Sequence, residues 1–233
     1  MKRWSFWHLT CGHMDRLTLG KMQNPIRGFI HGSAAIATAV GVAFLLYRAW
    51  GHGLAVTGAL VFGVALLVMY TISSLYHSIP WGEKWKVRFQ QLDHSMIFLV
   101  VAGTFTPIAI SALDGLALAM ALAIIWSIAL TGIVLKALRP NLRTSVSVTM
   151  QMVMGWSALV WLPWIWNELG VAAVALIALG GACYSIGVVI FTSKRPKLFP
   201  RTFSYHELFH VLVVAGSAFH FAAIFIYAIP ATV

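Results

Sequence analysis

Long apolar stretches alternate with short polar ones along almost the whole chain. Runs of about 20 apolar residues are the length that crosses a bilayer as an α-helix. We find seven of them, at residues 28–47, 54–76, 91–112, 115–135, 146–165, 170–192 and 204–229. The short connections between them leave no room for a soluble domain. The pattern therefore predicts an all-α integral membrane protein, a bundle of seven transmembrane helices.

The composition and the charge distribution agree with this interpretation. The chain is 60% hydrophobic and only 9% charged, whereas a soluble domain carries roughly 25% charged residues. Its net charge of +10 then reflects basic inner loops rather than a nucleic-acid partner. With the N-terminus cytoplasmic, every lysine and arginine except Arg48 falls on the inner side. We predict a multi-pass protein of the inner (plasma) membrane with its C-terminus outside, surrounded by membrane lipids and of unspecified oligomeric state.

Residues 1–24 differ from the rest because they are basic, aromatic and without an apolar run. We interpret them as a cytoplasmic tail, either poorly ordered or lying on the membrane surface as an amphipathic segment. No signal peptide is expected, and Met14 and Met22 leave a later start of translation open. The transmembrane domain is assigned to residues 25–233.

Polar side chains that carry chemistry gather at one depth of the predicted bundle. His206 and His210 are four residues apart, so they lie on one face of the last helix. His77 ends the second helix, and Asp93 begins the third. Under the predicted topology the cytoplasmic halves of four helices contribute to the group, which comprises His31, Ser73, His77, Asp93, His94, His206 and His210. Ionisable residues within membrane helices usually mark functional sites.

Three of these histidines suit a zinc ion. Three neutral imidazoles leave one of four tetrahedral positions open, as in catalytic zinc sites. We predict Zn²⁺ bound by His77, His206 and His210. Asp93 would orient or deprotonate water at the open position, although stabilising a helix N-terminus through the dipole explains that residue equally well.

The other polar residues have plainer explanations from the sequence alone. For Ser73 a hydrogen bond to its own helix is favoured, and His31 and His94 suit packing or the membrane interface better than metal binding. His220 lies ten residues beyond His210, hence about 15 Å deeper, and is either a buried polar contact or part of a cavity wall. His206-Glu207-Leu208-Phe209-His210 also matches the metalloprotease signature H-E-x-x-H, with Glu207 as general base, but no further ligand motif follows it.

Several short motifs together resemble a known family, the bacterial hemolysin III-like proteins of the progestin and adiponectin receptor superfamily. The similarity runs from about residue 24 to the C-terminus. It rests on Ser73-Ser74-Leu75-Tyr76-His77, Leu92-Asp93-His94-Ser95, Ala102-Gly103-Thr104-Phe105-Thr106-Pro107, and Tyr205-His206-Glu207-Leu208-Phe209-His210 with His220. The resemblance implies seven helices, a cytoplasmic N-terminus, zinc on His77, His206 and His210, and Ser73 and Asp93 beside the metal. One departure is Arg27 after Asn24, where many bacterial members carry an acidic and asparagine pattern.

Three functions follow from these expectations. The resemblance implies a superfamily with lipid-amide hydrolases, which favours a zinc-dependent hydrolase of a lipid-like amide or ester, with Asp93 and Ser73 as its catalytic residues. The first alternative is a non-catalytic membrane-homeostasis protein whose zinc ties helices together. The second is the cytolytic pore that the family name implies, although a pore needs polar lining along its whole length.

Overall fold

The computed structural model describes residues 22–139, 143–199 and 202–233. These residues form α-helices connected by short turns, and none of them belongs to a β-sheet. Of the predicted tail, residues 1–21 lie outside the described part. The helices are α1 (Pro25–Arg48), α2 (Gly53–Ser78), α3 (Glu83–Ala112), α4 (Gly115–Leu138), α5 (Thr144–Trp156), a 3₁₀ turn (Ser157–Trp161), α6 (Leu162–Ser193), α7 (Tyr205–Ala223), a π-helical turn (Ile224–Ala228) and α8 (Ile229–Thr232).

Within the described residues, six helical stretches are long and apolar enough to cross a membrane. Five of them match one predicted helix each. The sixth, Thr144–Ser193, spans 50 residues, and the sequence analysis divided it into two helices at residues 146–165 and 170–192. Gly170 interrupts this stretch with φ 79° and ψ 173°, a backbone conformation that glycine adopts without a steric cost. The multi-pass, all-α prediction is confirmed, whereas the count of seven stays a prediction.

The surface and the interior divide as expected for a bundle in lipid. Large apolar side chains such as Ile36, Leu116 and Val189 are more than half exposed on the outside. In α3, by contrast, every residue from Ala102 to Ala109 is buried. A helix that is buried on all its faces lies at the centre of its bundle. This part of α3 is therefore enclosed by its neighbours, mainly α2, α4 and α6.

Small residues bring α1 and α2 close together near one end of the bundle. A Cβ atom on Gly28 would lie 2.0 Å from Ser78 Oγ, so only glycine fits there without a shift of that side chain. One turn away, the Ser74 hydroxyl donates a 2.8 Å hydrogen bond to the Gly28 carbonyl. Helices in membranes commonly associate through small residues and such bonds. On the same side of α1, the His31 ring lies 5.0 Å from the Tyr70 ring of α2.

Three helix positions differ from the sequence-based expectation. Helix α3 begins at Glu83 instead of residue 91, so Trp85 lies within the helix rather than in a loop. Asp93 consequently lies about three turns into α3 and not in its first turn, which removes the helix-dipole explanation for its position. His31 lies in the second turn of α1, which begins at Pro25. The expected starts were late because hydropathy detects the apolar part of a helix and not its polar first turns.

Candidate metal centre

His77, His206 and His210 converge as the sequence predicted. One ring nitrogen from each lies within 4.8 Å of those of the other two. Their ring centroids are 5.3 Å (His77–His206), 4.9 Å (His77–His210) and 5.0 Å (His206–His210) apart. Zinc–nitrogen bonds of about 2 Å at tetrahedral angles would place such centroids about 5 Å apart. The three side chains therefore fit one tetrahedral zinc ion.

Two of these imidazoles also have a ring nitrogen that lacks a partner within the protein. Nε2 of His77 and Nδ1 of His210 are buried and have no hydrogen-bond partner. A buried polar atom without a partner costs about 1–3 kcal/mol, so such atoms in a native structure call for a ligand or a water molecule. Coordination to a metal would satisfy nitrogens of this kind.

Helix ends position the three histidines. His77 is the last residue but one of α2, and His206 is the second residue of α7. The start of α7 is held by Glu207, whose Oε2 accepts a 2.9 Å hydrogen bond from the Ser204 amide. That interaction satisfies one of the amides that a helix start leaves without an internal partner. His210 follows one turn later on the same face as His206.

Ser73 and Asp93 lie together beside this group. Ser73 is 2% exposed and sits one turn before His77 on α2. Its hydroxyl lies close enough to the Asp93 carboxylate of α3 to act on it as a hydrogen-bond donor. The bond to its own helix, which the sequence alone favoured, is therefore not the contact that defines Ser73. Asp93 does not belong to the convergent ligand atoms, so its link to the centre runs through Ser73.

His31 is the histidine that the sequence analysis undervalued. It is buried, and its ring centroid lies 4.0 Å from that of His210 and 5.0 Å from that of Tyr70. Both of its ring nitrogens are without a hydrogen-bond partner. A spacing of 4.0 Å is shorter than the roughly 5 Å expected for two imidazoles on one tetrahedral metal. His31 thus packs behind His210 and is not placed as a fourth ligand. His94 likewise stays outside the convergent group.

A second polar group lies deeper along the same helices. His220 Nδ1 donates a 2.9 Å hydrogen bond to the Gly216 carbonyl, and the His220 ring stacks on Tyr184 of α6. The Tyr184 and Ser217 hydroxyls are 2.8 Å apart. Sequence reasoning missed Tyr70 and Tyr184. A signal existed for Tyr70, because Tyr70, Ser73 and His77 recur at spacings of three and four residues and so share one helix face.

Comparison with known proteins identifies the family. A protein-family model described as "Haemolysin-III related" matches residues 20–221, a range that contains every residue of the candidate centre. The chain belongs to the haemolysin-III-related family. It is 32% identical over 219 residues to "Hemolysin-3" of Bacillus cereus, which covers 93% of this chain and 97% of that protein.

Two further relatives extend the comparison. "Hemolysin-3 homolog" of Bacillus subtilis (strain 168) is 31% identical over 201 residues, 85% of this chain and 91% of the relative. "Monocyte to macrophage differentiation factor" of Homo sapiens is 26% identical over 205 residues, 85% of this chain and 82% of the relative. The resemblance stated from the short motifs is thus confirmed over most of the chain.

In this haemolysin-III-related chain, the H-E-x-x-H glutamate is engaged in structural contacts. Glu207 Oε1 accepts a 2.6 Å hydrogen bond from the Arg27 Nε of α1, and its Oε2 accepts the Ser204 amide. Each carboxylate oxygen therefore takes part in a contact that anchors the start of α7. A general base of a metalloprotease needs a free oxygen directed at water near the metal. The geometry favours a structural role for Glu207.

We expect the stability of this start of α7 to reveal that role. Glu207→Ala removes both contacts and should lower the free energy of unfolding by on the order of 1–3 kcal/mol. Glu207→Gln keeps an acceptor for the Ser204 amide and should cost less. The measurement is the thermal unfolding midpoint in detergent, with exposed Glu168→Ala as the control. An unchanged midpoint for Glu207→Ala would refute the structural assignment.

Proposed function

We propose that this membrane protein binds one zinc ion through His77, His206 and His210 and uses it to hydrolyse a lipid-like amide or ester. The observation that carries the proposal is the convergence of three buried or half-buried imidazoles at the spacing of tetrahedral ligands. Three protein ligands leave one position for water or a substrate carbonyl. A centre inside a lipid-facing bundle suits a substrate that partitions into the membrane.

The remaining residues supply the proton chemistry. Zinc at this position provides Lewis-acid activation of a carbonyl and of water. Asp93 accepts the proton of the attacking water and returns it to the leaving amine or alcohol, so that the carbon–nitrogen or carbon–oxygen bond breaks and an acid and an amine or alcohol form. Ser73 holds the Asp93 carboxylate through its hydroxyl. Asp93 and Ser73 are therefore the proposed catalytic residues.

A structural zinc ion is the second candidate, and helix packing favours it. Helix α7 packs mainly against α6, whereas α2 packs mainly against α1 and α3. The ring contacts of His77 with His206 and His210 are contacts between α2 and α7 that a bound metal would reinforce. A metal that joins two otherwise weakly connected elements stabilises the fold without catalysing a reaction.

The word "hemolysin" in the names of two relatives describes those proteins. A pore through a single chain of this kind needs polar lining from one face of the membrane to the other. Beyond His220 the core contains Leu45, Ala49 and Ile229, each at most 1% exposed. The interior of this bundle therefore does not support a cytolytic pore.

We further propose seven crossings of the cell's inner (plasma) membrane, with the N-terminus cytoplasmic and the C-terminus outside. A straight helix of 50 residues would be about 75 Å long, far more than the roughly 30 Å of the hydrocarbon core. The break at Gly170 divides Thr144–Ser193 into two parts. An odd number of crossings places the termini on opposite sides.

Reporter fusions test this topology. A fluorescent protein fused to the N-terminus should fluoresce, and alkaline phosphatase fused after Val233 should be active because that enzyme folds only outside the cytoplasm. Alkaline phosphatase fused within the basic connection that precedes α7 should be inactive, since the basic loops face inward. An inactive C-terminal fusion on a chain that reaches the membrane would contradict the count of seven.

Metal content tests the centre itself. Purified wild-type protein should contain about one zinc ion per chain, because the described residues offer one three-histidine group. His206→Ala and His210→Ala should lose most of it. His52→Ala is the matched control, because His52 is exposed at the opposite end of α2 from His77. Metal content is measured by elemental analysis after dialysis against a weak chelator. Wild-type protein without zinc would overturn the proposal.

Turnover separates the two zinc functions. We expect Asp93→Asn to retain zinc while hydrolysis of lipid amides or esters falls by roughly 10²–10⁴-fold, the usual contribution of a general base. The measurement is product release from a panel of N-acyl amines and acyl esters in mixed micelles. Zinc-loaded wild-type protein that hydrolyses none of them would favour the structural role. Unchanged turnover in Asp93→Asn would remove Asp93 from the mechanism.

A further inference from the structure

The first turn of α1 contacts both helices that carry the proposed zinc ligands. On one side, Arg27 Nε donates to Glu207 Oε1 at 2.6 Å, and the two side chains are only 12% and 9% exposed. Glu207 lies between His206 and His210 in sequence. An ion pair held at this distance and largely shielded from solvent is stronger and more directional than a surface pair. Arg27 thereby fixes the turn of α7 that presents both histidines.

On the other side, the backbone just before α1 is bonded to the end of α2. The Asn24 amide donates a 2.9 Å hydrogen bond to the His77 carbonyl, and the Gln23 amide donates a 3.2 Å bond to the Ser78 carbonyl. The last carbonyls of a helix have no partner within that helix. Residues 23–27 therefore bridge the end of α2 and the start of α7, the two elements whose separation sets the distance between the three imidazoles.

We propose that Arg27 is a positioning residue of the three-histidine centre, which acts by holding α7 against α1 while residues 23 and 24 hold the end of α2. The inference rests on the proposed zinc site, and it adds a residue that is not itself a zinc ligand. Residues that orient metal ligands from outside typically change metal affinity by 10–100-fold. Arg27 belongs to this class and does not touch the reacting atoms.

Because Arg27 is positively charged, the direction in which its neutralisation changes zinc affinity tests the inference. The guanidinium is close enough for its charge to act on His77 and His210, and a positive charge repels a divalent cation. If Arg27 influenced the site through its charge alone, its neutralisation would strengthen zinc binding. If Arg27 positions the ligands, the same change weakens zinc binding. The two explanations predict opposite directions.

The experiment measures zinc affinity by chelator competition on the full-length chain in detergent. Arg27→Gln should bind zinc about tenfold more weakly than the wild type, and Arg27→Lys, which can still pair with Glu207, should recover part of the loss. Arg48→Gln is the matched control: Arg48 is the other arginine of α1, and its guanidinium lies over the Phe225 ring at 4.9 Å, at the far end of the helix. We expect wild-type affinity for that variant.

A double-mutant cycle then tests the ion pair. If Arg27 acts through Glu207, the combination of Arg27→Gln and Glu207→Gln should weaken zinc binding no more than Arg27→Gln alone. Unchanged or stronger zinc binding by Arg27→Gln would overturn the inference, and so would an equal loss in Arg48→Gln, which would indicate general destabilisation. Wild-type protein that binds no zinc would instead overturn the proposed centre itself. That result differs from a failure of the inference alone, in which the wild type and Arg27→Gln bind zinc equally well.

Discussion

Polar groups inside a bundle that is surrounded by hydrocarbon must find their partners within the bundle, because no solvent is available to them. This constraint explains where the polar side chains of the chain lie. Tyr184, Ser217 and His220 bond to one another's helices or to backbone carbonyls. Arg27 and Glu207 pair across α1 and α7. Among the described residues, no protein group satisfies the buried imidazole nitrogens of His31, His77 and His210, and the same holds for the hydroxyls of Tyr70 and Thr104.

These unpartnered atoms are informative because they cluster. Of the six such atoms among the described residues, five belong to His31, Tyr70, His77 and His210 on α1, α2 and α7, and the sixth is the Thr104 hydroxyl on α3. Together they would cost several kcal/mol if nothing bound there. A zinc ion held by His77, His206 and His210 would offset part of this cost, and the spacing of the three rings fits its tetrahedral geometry.

The sequence predicted the convergence of the three histidines because their positions depend on local rules. His206 and His210 share a face through their spacing, and the apolar runs placed His77 at the same end of the bundle. The helix starts were less predictable. Glu83, Lys84 and Lys86 lower the hydropathy of the first turns of α3, although those turns are helical and continue into the membrane. Hydropathy therefore located the bilayer-spanning part of α3 but placed the start of the helix too late. Asp93 was consequently expected in the first turn, whereas it lies about three turns into the helix.

The contacts between distant residues could not be predicted in this way. Nothing in the spacing of Arg27 shows that it meets Glu207, 180 residues later, and the local pattern H-E-x-x-H suggested a catalytic glutamate instead. The same limit applies to the bond between Ser73 and Asp93, since a serine near a helix end has a partner of its own within reach. Only the packing of α1 against α7 and of α2 against α3 decides which of these alternatives occurs.

Whether the proposed zinc is catalytic or structural depends on what fills the fourth position. A structural site is closed by a fourth protein ligand, whereas a catalytic site keeps one position open. Among the described residues, His31 is the imidazole nearest to the three ligands, yet its ring packs on that of His210 at 4.0 Å, too close for two ligands of one tetrahedral ion. Asp93 approaches the group through Ser73 and lies outside the convergent ligand atoms. Because neither of these described residues is placed to close the proposed site, a zinc ion bound there would keep one exchangeable position, as the proposed hydrolysis requires.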